Sequence, residues 1–204
     1  MYISRMRKKD VNCDFYSENF LRYHQNSFNA DPSVFLDPLL KHISPPALIL
    51  DVGCGSGRDL LWLKNKGFDT IGFERSVELA ELAAENSGSR VVKGDFFSYD
   101  FSVFKADAIL LIGAMVHVPH EDFEAALKNI LNAAGKNTLI LLSLKKGDGT
   151  RISADGRTFF LWNEYMLNEI FLRSGLIILS SFENQSVLNT AETWLGYVLK
   201  RSIL

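Results

Sequence analysis

The chain has 204 residues, of which 47% are hydrophobic and 23% charged. That balance describes a globular domain with a sizeable core and excludes a disordered chain. A net charge of −2 and a pI near 6.1 argue against a nucleic-acid partner, which calls for a basic excess.

In chain order, Arg5, Arg7, Lys8 and Lys9 form the one basic cluster and read as a solvated tail. No apolar run follows these charges, so no signal peptide is expected. The longest apolar stretch, Ala108 to Val118, is too short to cross a bilayer, and the expected location is the cytoplasm. Asp14 to Tyr23 reads as a short helix with aromatics on one side. Asp31-Pro32 opens a second helix running to about Ile43, stopped by Pro45-Pro46. Ala47 to Val52 is an apolar run that suits a buried parallel strand. A glycine loop (Gly53 to Gly57) leads into a helix from Arg58 to Lys66. Asp69 to Phe73 is the second strand. Ser76 caps a helix from Val77 to Glu85, and Arg90 to Lys93 is the third strand. Ala106 to Ile112 is the fourth strand, Glu121 to Ala134 a helix closed by Gly135, and Thr138 to Leu144 the fifth strand. A polar loop from Lys145 to Gly156 precedes a helix from Asn163 to Arg173. Leu176 to Phe182 and Thr193 to Lys200 end the pattern without a helix between them, so an antiparallel edge hairpin is expected. The alternation predicts a doubly wound, mainly parallel α/β sheet with helices on both faces. Residues 1–46 read as a helical segment capping residues 47–204, all within one structural domain.

The sharpest local signal is Asp51-Val52-Gly53-Cys54-Gly55-Ser56-Gly57. A buried strand enters three alternate glycines and then a helix, so bare backbone and free helix N–H groups face one ligand. In open α/β sheets ligands bind beyond the carboxyl ends of the strands. A nucleotide-like ligand follows. The dinucleotide fingerprint requires glycine or alanine where Arg58 stands, so that cofactor class is excluded. Glu74, at the end of the second strand, is placed to accept bonds from both hydroxyls of an adenosine ribose.

The GxGxG loop preceded by Asp51 resembles motif I of the class I S-adenosylmethionine-dependent methyltransferases. From about Ala47 to Arg201 the chain follows that family's pattern, which implies a Rossmann-like seven-stranded sheet with an antiparallel last strand. It also implies S-adenosylmethionine as cofactor and S-adenosylhomocysteine as product. In that family an acid after the third strand faces the adenine amino group and an apolar neighbour covers the ring, roles that fall on Asp95 and Phe96. The expected cofactor set is therefore Asp51, Gly53, Cys54, Gly55, Gly57, Arg58, Glu74, Arg75, Asp95, Phe96, Ile112 and Gly113. The segment Asp155-Gly156-Arg157-Thr158-Phe159-Phe160 also resembles a group of small bacterial methyltransferases.

Methyl transfer from a sulfonium needs alignment and exclusion of water more than it needs a base. If a base exists, His117 after the fourth strand is the candidate; the competing reading is a packed or capping histidine. His120 reads as structural. The expected acceptor contacts are Tyr16, Tyr23, Lys145, Arg157 and Trp162, with Phe20, Lys146 and Arg151 nearby; plain helix packing and a solvated loop are the competing readings. Aromatics and a few basic groups suit a small, partly anionic or planar acceptor. No metal site is expected: Cys13 and Cys54 are the only cysteines, and the His117/His120 pair has no third ligand at suitable spacing. Base-amino methylation is disfavoured, because Ile112-Gly113-Ala114-Met115 stands where the required Asn/Asp-Pro-Pro-Tyr tetrapeptide belongs. An RNA or protein methyltransferase and a non-catalytic binding module remain as alternatives to a small-molecule methyltransferase.

Overall fold

The computed structural model describes residues 11–186, 188 and 191–201. The basic cluster at Arg5 to Lys9 and the side chain of Cys13 lie outside the described residues. Seven strands form one sheet: β1 (Leu48–Val52), β2 (Asp69–Glu74), β3 (Arg90–Lys93), β4 (Ala106–Ile112), β5 (Ala134–Lys145), β8 (Leu176–Gln185) and β9 (Thr193–Arg201). Their spatial order is β3-β2-β1-β4-β5-β9-β8. Pairings from β3 through β5 are parallel, and β9 runs antiparallel to both its neighbours. This is the expected Rossmann-like, doubly wound sheet, with the last strand inserted between β5 and the edge strand β8.

Both faces of the sheet are covered, which is why the middles of its central strands are mostly apolar. Side chains alternate between two layers. Leu50, Val52, Ile109, Leu111, Ile140 and Leu142 pack with Phe123 and Leu127 of helix α6 (His120–Ile130) and with Leu167 and Phe171 of α7 (Glu164–Arg173). Ile49, Ala108, Leu110, Leu139 and Leu141 pack on the other side with Leu36 and Leu39 of α3 (Ser33–Leu40) and Leu63 of α4 (Arg58–Asn65). Helix α5 (Val77–Ser87) is capped as expected: Ser76 Oγ accepts from the Leu79 amide at 3.2 Å, and Gly88 ends the helix at φ +61°.

Four local expectations change. The N-terminal helix is two helices, α1 (Val11–Glu18) and α2 (Phe20–Ser27), with Asn19 between them. Pro32, rather than Asp31, is the N-cap residue of α3; Asp31 Oδ1 instead accepts from the Ser33 amide at 2.9 Å, and the helix stops at Leu40. Helix α6 ends at Ile130, a single 3₁₀ turn follows, and Gly135 lies inside β5. Thr138 forces that early strand start: its Oγ1 accepts from the Gly135 amide at 2.9 Å and donates to the Ala106 carbonyl at 2.7 Å. Finally, the polar segment after β5 folds as an antiparallel ribbon of β6 (Thr150–Ile152) and β7 (Thr158–Phe160). No helix among the described residues is long and apolar enough to cross a membrane.

Candidate functional site

The strand order reverses between β1 and β4, and a cavity of about 460 Å³ opens at the carboxyl ends of the strands there. Gly53 and Gly55 after β1, Glu74 and Arg75 at β2, Phe96 and Phe97 after β3, and Ile112 and Gly113 at β4 line one part of it. Tyr16 and Tyr23 from the N-terminal helices, with Arg157 and Phe159 from the ribbon, line the rest.

The glycines divide the work of the loop. An added Cβ at Gly55, where φ is +56°, would lie 3.1 Å from the Tyr23 ring, inside the cavity. At Gly57, where φ is +89°, it would lie 2.8 Å from main-chain atoms of Ala83. Gly57 therefore serves the close approach of α4 to α5 and does not line the cavity, contrary to its expected ligand contact. Cys54 does not line it either. Its thiol packs with Leu60 and Ala83, and burial pushes its pKa up.

Glu74 is buried and holds the loop from below. Its Oε2 accepts from the Gly55 amide at 2.9 Å, and its Oε1 accepts from the amides of Arg75 at 2.8 Å and Ser76 at 3.0 Å. Burial raises its pKa, and these three amides work against that rise. Asp51 sits behind the loop at 2% exposure, and its Oδ2 has no hydrogen-bond partner among the described residues. Burial first, and the charge of Asp59 second, hold its carboxyl well above the usual range. Asp95 does not reach the cavity: its Oδ1 accepts from the Phe97 amide at 2.8 Å, and its Oδ2 lies 3.7 Å from Arg75 Nε. Arg58 lines the cavity while its Nε donates to Asp59 Oδ1 at 2.6 Å.

His117 is brought to the cavity together with Tyr16 and Arg157. Its Nδ1 lies 2.5 Å from the Thr158 carbonyl, which can only accept, so Nδ1 carries the proton. In the neutral ring Nε2 is then the acceptor for the Tyr16 hydroxyl at 3.0 Å, and that hydroxyl accepts in turn from Arg157 Nη1 at 3.2 Å. Asp155 fixes Arg157 through Oδ2 at 2.8 Å from Nη2. Tyr16 and Tyr23 meet edge to face at 5.3 Å. Burial raises both phenol pKa values, and Arg157 opposes the rise at Tyr16.

Lys145 ends β5 at 6% exposure. Its Nζ sits 3.6 Å above the Phe159 ring centroid and donates to Glu192 Oε1 at 2.6 Å. Burial, followed by the charges of Arg151 and Arg157, pushes its pKa down to about 7. The bond to Glu192 acts in the opposite direction and favours the ammonium form while it is closed. Lys146 points elsewhere, to Glu183. Trp162 is fully buried, 4.5 Å from the His120 ring and 4.4 Å from Phe123, so it belongs to the core and not to an acceptor pocket. Phe20 does not line the cavity. Phe159, Ser143 and Trp194 do, and the sequence reading assigned them no role. The signal for Trp194 was present, because β9 must pair with β5 and brings it opposite Lys145. Among the described residues no group of side chains could hold a metal ion.

A glycine loop, a buried acid on the neighbouring strand and a cavity at the switch point define a nucleoside-binding α/β domain. Residues 49–137 match the family described as a methyltransferase domain. A magnesium protoporphyrin IX methyltransferase from Synechocystis PCC 6803 superposes with a TM-score of 0.77 at 16% identity, covering 96% of this chain and 100% of that one. A TehB-like methyltransferase from Corynebacterium glutamicum gives 0.68 at 25% identity, covering 93% and 100%. A sterol 24-C-methyltransferase from Yarrowia lipolytica is 29% identical over 126 residues; the match takes in 52% of this chain but only 32% of that protein's length. Over residues 49–137 the chain thus matches a methyltransferase domain, and its fold is the one found in S-adenosylmethionine-dependent methyltransferases.

Proposed function

We propose that the protein transfers a methyl group from S-adenosylmethionine to a small-molecule acceptor. The observation that carries this reading is the cavity itself. Its volume of about 460 Å³ lies in the small-ligand range, and side chains of the same chain roof it. The magnesium protoporphyrin and sterol methyltransferases it resembles are named for small acceptors.

The residues present fit the cofactor. Oε1 of Glu74 already accepts two amides and Oε2 one, so Glu74 would take a ribose hydroxyl on the remaining lone pair of Oε2. The orphaned Oδ2 of Asp51 is an acceptor awaiting a donor, and the ammonium of the methionyl part supplies one. Side chains at Gly53 or Gly55 would crowd Ala114 or Tyr23 and narrow the cradle. Phe96 and Phe97 offer apolar cover for a base. The sulfonium, when bound, supplies an electrophilic methyl group with a good leaving group. Tyr16 and Tyr23 then serve to exclude water, and the ring contacts around His117 fix the roof. For a protic acceptor, His117 Nε2 receives the proton, directly or through the Tyr16 hydroxyl, while Nδ1 stays bonded to Thr158. An acceptor that is already anionic uses the same cavity without that step.

The test is calorimetry with S-adenosylhomocysteine, followed by turnover against panels of carboxylates, phenols, thiols and amines. Heat on binding, loss of that heat in Gly55→Val, and product release with a panel member are expected. Absence of binding refutes the reading. Binding without turnover on any panel favours a non-catalytic module.

A further inference from the structure

Two cations of the cavity wall share one carboxylate oxygen. Lys145 Nζ and Arg151 Nη2 both contact Glu192 Oε1. The neighbouring guanidinium, Arg157, has its own partner in Asp155. The cluster therefore sets two basic side chains against one carboxylate, with the Lys145 side chain 8% exposed, that of Glu192 15% and that of Arg151 45%. At its buried end Lys145 needs an anion to hold its ammonium form, and a ligand carboxylate can take the place of Glu192 there.

The cluster lies in the wall shared by the main cavity and a smaller one of about 300 Å³. Aromatic faces flank it. Lys145 Nζ is 3.6 Å from the Phe159 centroid and 5.4 Å from that of Trp194, and both rings line the main cavity. Phe159 is buried beneath the Lys145 ammonium, so the apolar face the wall offers a ligand is that of the partly exposed Trp194, next to a pair of donors already arranged around a carboxylate.

We propose that Lys145 and Arg151 form a carboxylate subsite for the acceptor, that the acceptor is a flat apolar molecule bearing a carboxylate, and that Glu192 holds the subsite until the acceptor displaces it. The proposal rests on the methyltransferase reading for the word acceptor, but the subsite stands on its own geometry. Arg151 contributes from the half-exposed rim and Lys145 from the buried end, so the ligand's carboxylate seats between a solvated guanidinium and a buried ammonium.

Calorimetry with benzoate and with benzamide, its neutral analogue of the same shape, decides the matter. It is run on the full-length protein with and without saturating S-adenosylhomocysteine. Benzoate is expected to bind and benzamide to bind at least about tenfold more weakly. Lys145→Met should weaken benzoate about tenfold to a hundredfold, and Arg151→Gln, at an exposed position that folding tolerates, about tenfold. Glu192→Gln, which removes the competing carboxylate, should tighten benzoate about tenfold. All three variants should retain wild-type affinity for S-adenosylhomocysteine. Equal binding of benzoate and benzamide, no benzoate binding, or benzoate binding unmoved in Lys145→Met and Arg151→Gln overturns the subsite. Failure of S-adenosylhomocysteine to bind, with benzoate selectivity intact, overturns the methyltransferase reading alone.

Discussion

Replacing Glu74 by glutamine separates what this acid does for the loop from what it does for the ligand. The carboxylate accepts from three backbone amides, at 2.9 Å from Gly55, 2.8 Å from Arg75 and 3.0 Å from Ser76. Glutamine has one acceptor oxygen. It can keep Arg75 and Ser76 on that oxygen, and it then turns its NH₂ group toward the Gly55 N–H. One charge-assisted bond is lost, worth about 1.5–3 kcal/mol. Against this, the neutral amide no longer carries a buried charge, whose cost is already visible as the raised pKa of Glu74. The two changes offset, and Glu74→Gln should alter unfolding stability by no more than about 1 kcal/mol. Ligand binding has no such offset. A ribose loses its anionic acceptor, and about 1.5–3 kcal/mol corresponds to roughly tenfold to a hundredfold weaker binding. Calorimetry with S-adenosylhomocysteine, beside thermal unfolding followed by far-ultraviolet circular dichroism, reads both quantities. Affinity within twofold of wild type would show that Glu74 shapes the loop and never meets the ligand.

Asp51→Asn tests the second buried acid. Its folded pKa lies above its unfolded value near 4, so the stability it contributes is fully present below about pH 4 and is lost as pH rises through the folded value. The asparagine variant cannot ionise and should be more stable than wild type at pH 7 by about 1 kcal/mol, with the gap closing toward pH 4; urea unfolding at the two pH values measures this, and an equal gap at both contradicts it. The loop glycines make a matched pair with the ribbon. Gly149→Ala, at φ +68° with nothing within 4 Å, should cost about 1 kcal/mol of backbone strain. Gly57→Ala has similar strain plus a 2.8 Å approach to the main chain of Ala83, and should cost at least about 2 kcal/mol more. Denaturant midpoints that move equally in the two variants would remove the close-packing role of Gly57.

The parts of this fold legible in the sequence are those where local and global preferences agree. Apolar stretches such as Ile49-Leu50 and Ala108 to Leu111 are buried on both faces of the sheet, the placement their composition favours. Ser76 marked its helix start because a hydroxyl before Val77 has a free amide to bind. The glycine loop was legible as a place of close approach because an added Cβ at Gly55 or Gly57 would meet Tyr23 or Ala83. Elsewhere the deciding partner is distant in sequence. Gly135 looks like a helix stop until Thr138 ties it to Ala106. Ribbon strands of three residues, with β6 exposed along its length, have no alternation to detect. Trp162 and Lys145 were both expected at the acceptor pocket, and of the two only Lys145 lines the cavity. An indole beside a helix start serves a pocket or a core equally well, and His120 with Phe123 selects the core. A lysine that opens a polar segment looks solvated until Phe159 and Trp194 close over it. Asp95 carries the residue type its family position requires, yet its carboxylate closes its own turn.

The closeness of Tyr23 to Gly55 ties the loop after β1 to the N-terminal helices. A side chain added to the loop would press on α2, and a displacement of α2 would uncover the bare backbone beneath it.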